Sequence, residues 1–354
     1  MTKMQKHILI MAGGTGGHVF PGLAVADVLI SRGHLVSWMG TRSGIEARLV
    51  PEAGLTIHYI DIAGVRGKGM FGLLMAPVRV SRAIVQSFFV FLKVRPNAVL
   101  GMGGFVSGPG AIAAKFMKIP LLVHEQNAVA GTTNRILFRF ADHVFEAFPG
   151  TFPKSEKVMA VGNPVRGNLP DKKPYASGQK LRILVLGGSR GASAINELLP
   201  DLAAEMAGCI EIWHQTGEQQ QQEVTQKYKA SAQNARVDAF IDDMAAAYGW
   251  ADLLICRAGA MTVSEVACVG LPAIFIPFPF AIDDHQTANA SWLAEKGAAV
   301  IVQQKDMTIE KLRQLLNEFD QNREKLATMA EKTAALAQHN AANAVAEKCL
   351  ELSR

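Results

Sequence analysis

The sequence predicts an α/β protein made of two Rossmann-like parallel-sheet domains facing each other across a cleft. Three observations carry that reading. Short apolar runs such as His7-Ile8-Leu9-Ile10 and Leu181–Leu186 read as strands buried on both faces, as parallel strands are. Each runs into a glycine loop that opens a helical pattern, Gly13–His18 early and Gly187–Ala192 later, so the opening theme restarts about half a chain on. Finally, 354 residues exceed what one ordinary core serves, and a composition 49% hydrophobic and 19% charged is that of a folded chain.

In chain order, the first strand and helix (Val19–Ala26) are followed by a strand at Val36–Met39, a helix over Arg42–Val50 and a strand at Ile57–Ile60. A basic glycine loop, Gly64–Gly69, leads to an apolar tip at Met70–Met75. After Pro77 comes a helix carrying Val78, Ile84, Val85, Phe88, Phe89, Phe91 and Leu92, mostly core by this reading. Ala98–Leu100 is a strand into the second glycine stretch, Gly101–Gly110, and Leu121–Val123 is a strand ending in His124-Glu125-Gln126-Asn127. Those polar residues either serve a ligand at the sheet edge or are hydrogen-bonded beneath it. The first domain is read as 1–163 and the second as 164–339, with a linker over Leu169–Lys180 and a C-terminal helix, about 340–354, packing back on the first. In the second half, strands are expected at Ile210–His214, Val237–Ile241, Leu253–Cys256 and Ala273–Pro277. Helices are expected near Glu218–Ala232, from Thr262, and through most of the chain after Thr308.

A net charge of +5 fits an anionic substrate or membrane surface; nucleic acid calls for denser Lys/Arg runs. Cys209, Cys256, Cys268 and Cys349 have no metal-type spacing and read as reduced thiols of a cytoplasmic protein. The opening apolar run is too short for a signal peptide. Met70–Leu92 is interrupted by Pro77, Arg79, Arg82 and Gln86, which excludes a spanning helix but not an interfacial surface.

The chemistry follows from the loops. A dinucleotide fingerprint fails because Val19 stands where a third Gly or Ala is required and Trp38-Met39-Gly40-Thr41 lacks the acidic residue. No loop has the lysine of a P-loop, and no D-x-D pair suggests a chelated metal, so neither a cofactor nor a metal is expected. Two Rossmann units with glycine loops at their strand ends suit a nucleotide-diphosphate sugar in one and an acceptor in the other. Backbone N–H groups and a helix N-terminus would stabilise the leaving diphosphate.

The blocks GGTGGHVFPGLAVA (13–26), GMGGFVSGPG (101–110), HEQNAVAGTTN (124–134), GNPVR (162–166), GGSRGA (187–192), FIDDMAAAY (240–248) and RAGAMTVSE (257–265) together resemble the MurG family of bacterial GT-B glycosyltransferases, in order and over nearly the whole chain. The resemblance implies inverting transfer of GlcNAc from UDP-GlcNAc to the 4-hydroxyl of MurNAc on undecaprenyl-pyrophosphoryl-MurNAc-pentapeptide (lipid I), giving lipid II and UDP in peptidoglycan synthesis. It further implies that Ile241 meets the uracil through its backbone and Glu265 takes the ribose hydroxyls. Ser189 and the helix start Ala260-Met261-Thr262, continuing into Val263 and Ser264, hold the diphosphate. Gln286 and Asn289 reach the GlcNAc hydroxyls, Arg166 contacts the donor, and Thr15, Gly16, Gly17 and Asn127 reach the sugar end. The match is weakest over Phe278–His285, where this chain has His285-Gln286 in place of a glutamine pair.

Each reading has a plainer rival. Thr262-Val-Ser-Glu265 is also a capping box, and Asp242-Asp243 can cap the following helix. His18 is the candidate base for the acceptor hydroxyl, or else binds the acceptor pyrophosphate or shapes its loop. A membrane-anchored acceptor implies a peripheral enzyme at the cytoplasmic face of the inner membrane. Met70, Phe71, Leu73, Leu74 and Met75 form its candidate patch, with Arg66, Lys68, Arg79, Arg82, Lys115, Lys118, Arg135 and Arg139 as the positive surround toward anionic lipid. The alternatives are another GT-B transferase, a UDP-GlcNAc 2-epimerase, or a scaffold for other cell-wall synthesis proteins.

Overall fold

Strand order is the feature that positions everything else. The computed structural model describes residues 5–62, 75–170, 179–188, 191–231 and 235–354. The elements of the first half are β1 (His7–Ala12), α1 (Gly16–Ser31), β2 (Leu35–Gly40), α2 (Glu46–Glu52), β3 (Thr56–Tyr59), α3 (Ala76–Val94), β4 (Ala98–Gly103), α4 (Ser107–Phe116), β5 (Leu121–Glu125), α5 (Thr132–Leu137), β6 (His143–Glu146) and β7 (Val158–Ala160). The second half has β8 (Leu181–Leu186), α6 (Ser193–Glu205), β9 (Ile210–Gln215), α7 (Gln221–Ala230), β10 (Ala235–Asp238), α8 (Met244–Trp250) and β11 (Leu253–Cys256). It continues with α9 (Ala260–Val269), β12 (Ala273–Phe275), α10 (His285–Ala294), β13 (Ala299–Ile301), α11 (Ile309–Gln321) and α12 (Arg323–Ala334), and α13 (Ala341–Leu352) ends the chain. The chain forms two units, one of Met1–Arg166 with His339–Arg354, the other of Gly167–Gln338.

Unit 1 holds a sheet of order β3-β2-β1-β4-β5-β6-β7 and unit 2 one of order β10-β9-β8-β11-β12-β13. Every pairing is parallel. In each sheet the order reverses beside the first strand, between β1 and β4 and between β8 and β11. Loops leaving the two strands at such a point diverge to opposite faces and open a crevice at their carboxyl ends.

Alternation along β1 builds two cores in unit 1. Ile8, Ile10 and Ala12 pack with Val25, Leu29, Trp38 and Leu100 on the α1 side, while Leu9 and Met11 pack with Met39, Phe91, Val99 and Val123 on the α3/α4 side. The first of these cores is completed by α13, whose Val345, Ala346 and Cys349 are fully buried. Burial pushes the Cys349 thiol up to about 12, so it packs as an apolar side chain. Asn97 ties the last residue in place, donating to the Arg354 carbonyl at 2.6 Å.

Several sequence expectations need correcting. The short strands β6, β7 and β13 are additions to the expected set, each three or four residues long and defined by pairing with a neighbour. β10 spans Ala235–Asp238, which leaves Ile241 in the loop beyond it. The helical tail is three helices, broken at Asn322, whose side chain caps α12 by accepting from the Lys325 N–H at 3.2 Å. The largest correction concerns α3. Only Ala83, Ser87 and Phe91 of that helix are buried, whereas Val78, Val85, Phe89 and Leu92 are exposed. The linker expected at 169–180 and the apolar tip at 70–74 fall largely outside the described residues, while Met75 immediately precedes α3.

Because Val345 is buried where α13 meets the α1 core, Val345→Ala is expected to lower unfolding free energy by about 2 kcal/mol. Urea denaturation measures it; an unchanged midpoint would show that α13 adds nothing to this core.

Candidate functional site

In unit 1 the opening glycine loop is built around a carboxylate that the motif does not contain. Glu46, the first residue of α2, is fully buried. Its Oε2 accepts from the Gly14 N–H at 3.0 Å, and its Oε1 accepts from the Thr41 N–H at 2.9 Å and the Thr41 hydroxyl at 2.7 Å. A Cβ on Gly13 would lie 2.6 Å from Glu46 Oε1, and one on Gly44 only 1.9 Å from Oε2. Glycine at these positions therefore admits the protein's own anion. What remains for an external anion is the start of α1, where the N–H groups of Gly16 and Gly17 precede the first helical carbonyl bonds.

His18 lies in the first turn of α1, half-buried, with Nδ1 3.4 Å from the Thr15 hydroxyl. Its ring covers Gly103 at the end of β4: a Cβ there would be 2.7 Å from Cδ2 and 2.9 Å from Nε2. The second glycine stretch thus makes room for His18, and Ser107 holds it, accepting from the Gly103 N–H at 3.1 Å with its hydroxyl directed at the Met11 and Gly103 carbonyls. Asn134 of α5 reaches the same place, with Nδ2 3.6 Å from that Cβ position.

The polar run that ends β5 and continues past it, residues 124–127, supports this region. Glu125 accepts four hydrogen bonds, from the Asn127 N–H and Nδ2, the Gly131 N–H and Asn134 Nδ2, at 2.9–3.2 Å. His124 is fully buried, with Nε2 donating to the Gly162 carbonyl and Nδ1 accepting from Gln126. Burial pulls this imidazole down to about 4. Both residues are structural, and Asn127 is positioned through Glu125. At the end of unit 1, the Arg166 guanidinium lies 5.9 Å from the ring of Phe20, two residues beyond His18.

Unit 2 supplies a second constellation at its own switch point. The helix α9 begins directly after β11, with Gly259 as N-cap. This removes the capping-box reading, because Thr262 lies inside the helix and makes no cap. Glu265 instead accepts from the Tyr248 hydroxyl at 2.8 Å, in a pocket where it is 6% exposed. Asp243 does cap α8, accepting from the Ala246 N–H at 2.9 Å. Ala260, Met261, Thr262, Val263 and Ser264 form the first turn and a half of α9, the positive end of its dipole. Ser189 lies outside the described residues, while Gly188 and Gly191 beside it both have positive φ.

Gln286 and Asn289, three apart on α10, clamp one residue, Ala258, of the loop before α9. Gln286 Oε1 accepts from the Ala258 and Phe278 N–H groups, and Asn289 Nδ2 donates to the Ala258 carbonyl at 3.2 Å. Arg257 adds a second clamp, donating to the Ile276 and Pro277 carbonyls and to Gln304. Ile241 is 4% exposed, and its N–H donates to Gln215 Oε1 at 3.0 Å. Sequence reasoning missed Glu46, Tyr248, Gln215 and Arg257 as site-builders. Only Arg257 and Tyr248 lay inside quoted blocks; Glu46 and Gln215 sit in segments with no motif.

Away from these loops, α3 carries two apolar stripes. Ala83, Ser87 and Phe91 face the sheet, while Val78, Val85, Phe89 and Leu92, at helical spacing on the opposite side, are 52–67% exposed. Phe116 of α4, 76% exposed, extends the stripe through its neighbour Phe88, ring centroids 6.2 Å apart. Arg79, Arg82, Lys93, Lys115, Lys118, Arg135 and Arg139 are exposed on α3, on α4 and in the segments that follow it. Among the described residues no helix is long and apolar enough to cross a membrane.

Residues 8–146 match the glycosyltransferase family 28 N-terminal domain and residues 182–347 the glycosyltransferase family 28 C-terminal domain. A protein of Psychromonas ingrahamii is 51% identical over 98% of this chain and 99% of its own length. A protein of Methylococcus capsulatus is 49% identical over 98% and 99%. Both are named UDP-N-acetylglucosamine--N-acetylmuramyl-(pentapeptide) pyrophosphoryl-undecaprenol N-acetylglucosamine transferase. The crystal structure of Acinetobacter baumannii MurG is similar with a TM-score of 0.84 and 44% identity, over 98% of this chain and 99% of that one. A UDP-GlcNAc 2-epimerase from Neisseria meningitidis shares the fold, with a TM-score of 0.70 over 98% and 100% of the two chains, at 12% identity.

Buried neutral imidazoles give the protein an acid limit. His214, between Tyr228 and Asn196, is pulled down to about 3 by burial, as His124 is to about 4. Unfolding returns both to the ordinary value near 6.5, so below that pH the unfolded chain binds more protons and stability falls. The expected result is full stability above pH 6.5, with a decline down to pH 4 that His124→Gln makes shallower. Denaturant midpoints against pH measure this; an identical slope in the variant would refute it.

Proposed function

The chain belongs to glycosyltransferase family 28, and on that premise we propose that it transfers GlcNAc from UDP-GlcNAc to the 4-hydroxyl of MurNAc in lipid I, with inversion, yielding lipid II and UDP. Its two parallel-sheet Rossmann-like units are the GT-B fold. The observation that carries the function is 51% identity over essentially the full length of a transferase with that donor and acceptor in its name. The epimerase, at 12% identity, shares only the fold.

In this reading unit 2 takes the donor. The backbone of Ile241 meets the uracil and Glu265, held by Tyr248, receives the ribose hydroxyls. Ser189 and the N-terminus of α9 at Ala260, Met261, Thr262, Val263 and Ser264 stabilise the diphosphate, first as ligand and then as leaving group, without a metal. Gln286 and Asn289 set the Ala258 loop, and Gln286 Nε2 is directed to the GlcNAc hydroxyls. Arg166 supplies a further donor contact.

Unit 1 takes the acceptor. The N–H groups of Gly16 and Gly17, with Thr15 and Asn127, serve the pyrophosphate and sugar. The MurNAc 4-hydroxyl oxygen attacks the anomeric carbon as the bond to the UDP oxygen breaks, and His18 Nε2 takes the hydroxyl proton. Two features support a role for His18 at this place: Thr15 faces Nδ1, and the lack of a side chain on Gly103 lets the ring lie against the end of β4.

The outward stripe of α3 and α4 supports a peripheral position on the cytoplasmic face of the inner membrane. An apolar band on the solvent side of a helix, bordered by seven exposed Lys and Arg residues, suits an anionic bilayer surface. Met70, Phe71, Leu73, Leu74 and Met75, which precede α3 in the chain, are further membrane-contact residues in this reading. Other cell-wall synthesis proteins are further partners in this reading.

Labelled UDP-GlcNAc with a lipid I analogue is expected to give lipid-linked product; UDP-GlcNAc consumed without acceptor, as epimer, would overturn the assignment. His18→Ala should lose turnover by about 10²–10⁴-fold while keeping its affinity for UDP-GlcNAc. Near-normal turnover would remove His18 as the base. For the membrane, Phe89→Asp with Leu92→Asp should weaken co-sedimentation with anionic vesicles by about ten-fold or more, and binding equal to the parent would count against this face.

A further inference from the structure

Gln215 ends β9, the strand lying between β8 and β10. β8 feeds the glycine loop at 187–192 and β10 feeds the loop carrying Ile241, so a side chain at the carboxyl end of β9 is placed to touch both. Gln215 does so with a single carboxamide. Its Nε2 donates to the Gly188 carbonyl at 3.2 Å, and its Oε1 accepts from the Ile241 N–H at 3.0 Å. The orientation follows from the partners, since a main-chain N–H can only donate and a carbonyl can only accept. The side chain is 4% exposed, so neither bond is shared with bulk water.

We propose that Gln215 is a positioning residue that couples recognition of the nucleobase to recognition of the diphosphate. The inference rests on the donor site assigned above to unit 2. The N–H through which Ile241 would meet a uracil carbonyl is the one that Gln215 holds in this structure. An arriving base competes for it. The carboxamide is planar and rigid, so a turn that surrenders Ile241 also draws Nε2 away from Gly188. The Gly188 carbonyl also accepts from the Gly191 N–H at 3.1 Å, so Nε2 bears on the hydrogen bond that joins the two ends of the glycine turn, and Gly188 has φ +79°. The base subsite thereby resets the loop that receives the diphosphate. By reciprocity the diphosphate alters affinity for the base by the same factor. Glutamine suits the task because it offers a donor and an acceptor at the end of one arm.

The test is calorimetric titration of the full chain with uridine, alone and with saturating inorganic pyrophosphate. In the parent protein pyrophosphate is expected to change uridine affinity about five-fold or more. In Gln215→Leu uridine still binds, and the change shrinks below about two-fold. Gln215→Asn, too short by one methylene to span both loops, is expected to behave alike and guards against a fold defect in the leucine variant. A parent protein that binds uridine without responding to pyrophosphate would overturn the coupling and leave the donor site standing. So would variants that keep the full response, or variants with native melting that lose both ligands equally. A parent protein that binds no uridine would overturn the donor-site assignment and the coupling with it.

Discussion

The reversal of strand order beside β1 and beside β8 is the constraint on which the rest of the molecule depends. Parallel strands require crossover helices, and where the order reverses two successive crossovers leave on opposite faces. The carboxyl ends of β1 and β4, and of β8 and β11, are therefore the places where main chain lies open at the sheet edge. Glycine gathers there because neighbouring groups must approach the backbone within the radius of a Cβ.

The two units use those edges differently. In unit 1 the loop after β1 wraps a buried carboxylate, and the loop after β4 is stripped of side chain so that an imidazole can lie across it. The space behind Gly14 is thus already filled by the Glu46 side chain, and the N–H groups ahead of the first helical bonds lie at the start of α1. In unit 2 the corresponding places are organised by neutral amides, from Gln215, Gln286 and Asn289, with the N-terminus of α9 supplying positive potential. In the proposed donor site such neutral struts, with the Arg257 clamp beside them, would hold the loops in shape. The buried histidines fit the same logic. His124 and His214 are kept neutral by burial and act as hydrogen-bonding spacers, while His18 alone among these three is half-buried, in the first turn of α1 beside the opening glycine loop.

The helix α3 has apolar faces on both sides, and burial accounts for only one. Ala83, Ser87 and Phe91 bury their side against the sheet. The outward stripe of Val78, Val85, Phe89 and Leu92 has no core to serve, and exposed basic residues stand along the same helices, Arg82 among them paired with Asp61. On the proposed reading, a lipid-linked acceptor gives such a face a use.

The sequence by itself determined the repeated α/β pattern, the strands of the two switch points and the helices that follow them, because runs of apolar residues and glycine loops are local signals. It also carried the blocks by which the family is recognised, with His18, Ile241 and Glu265 among them. Tertiary structure alone decided what those blocks rest on. Glu46 reaches Gly14 from 32 residues away and Gln215 reaches Ile241 from 26, through single polar side chains that leave no periodic trace. It also decided which face of α3 is buried, since two apolar stripes on one helix are equivalent until a sheet takes one of them. Long-range pairing likewise turned β6, β7 and β13 into strands, because three or four residues make an extended segment only when a neighbour supplies the hydrogen bonds.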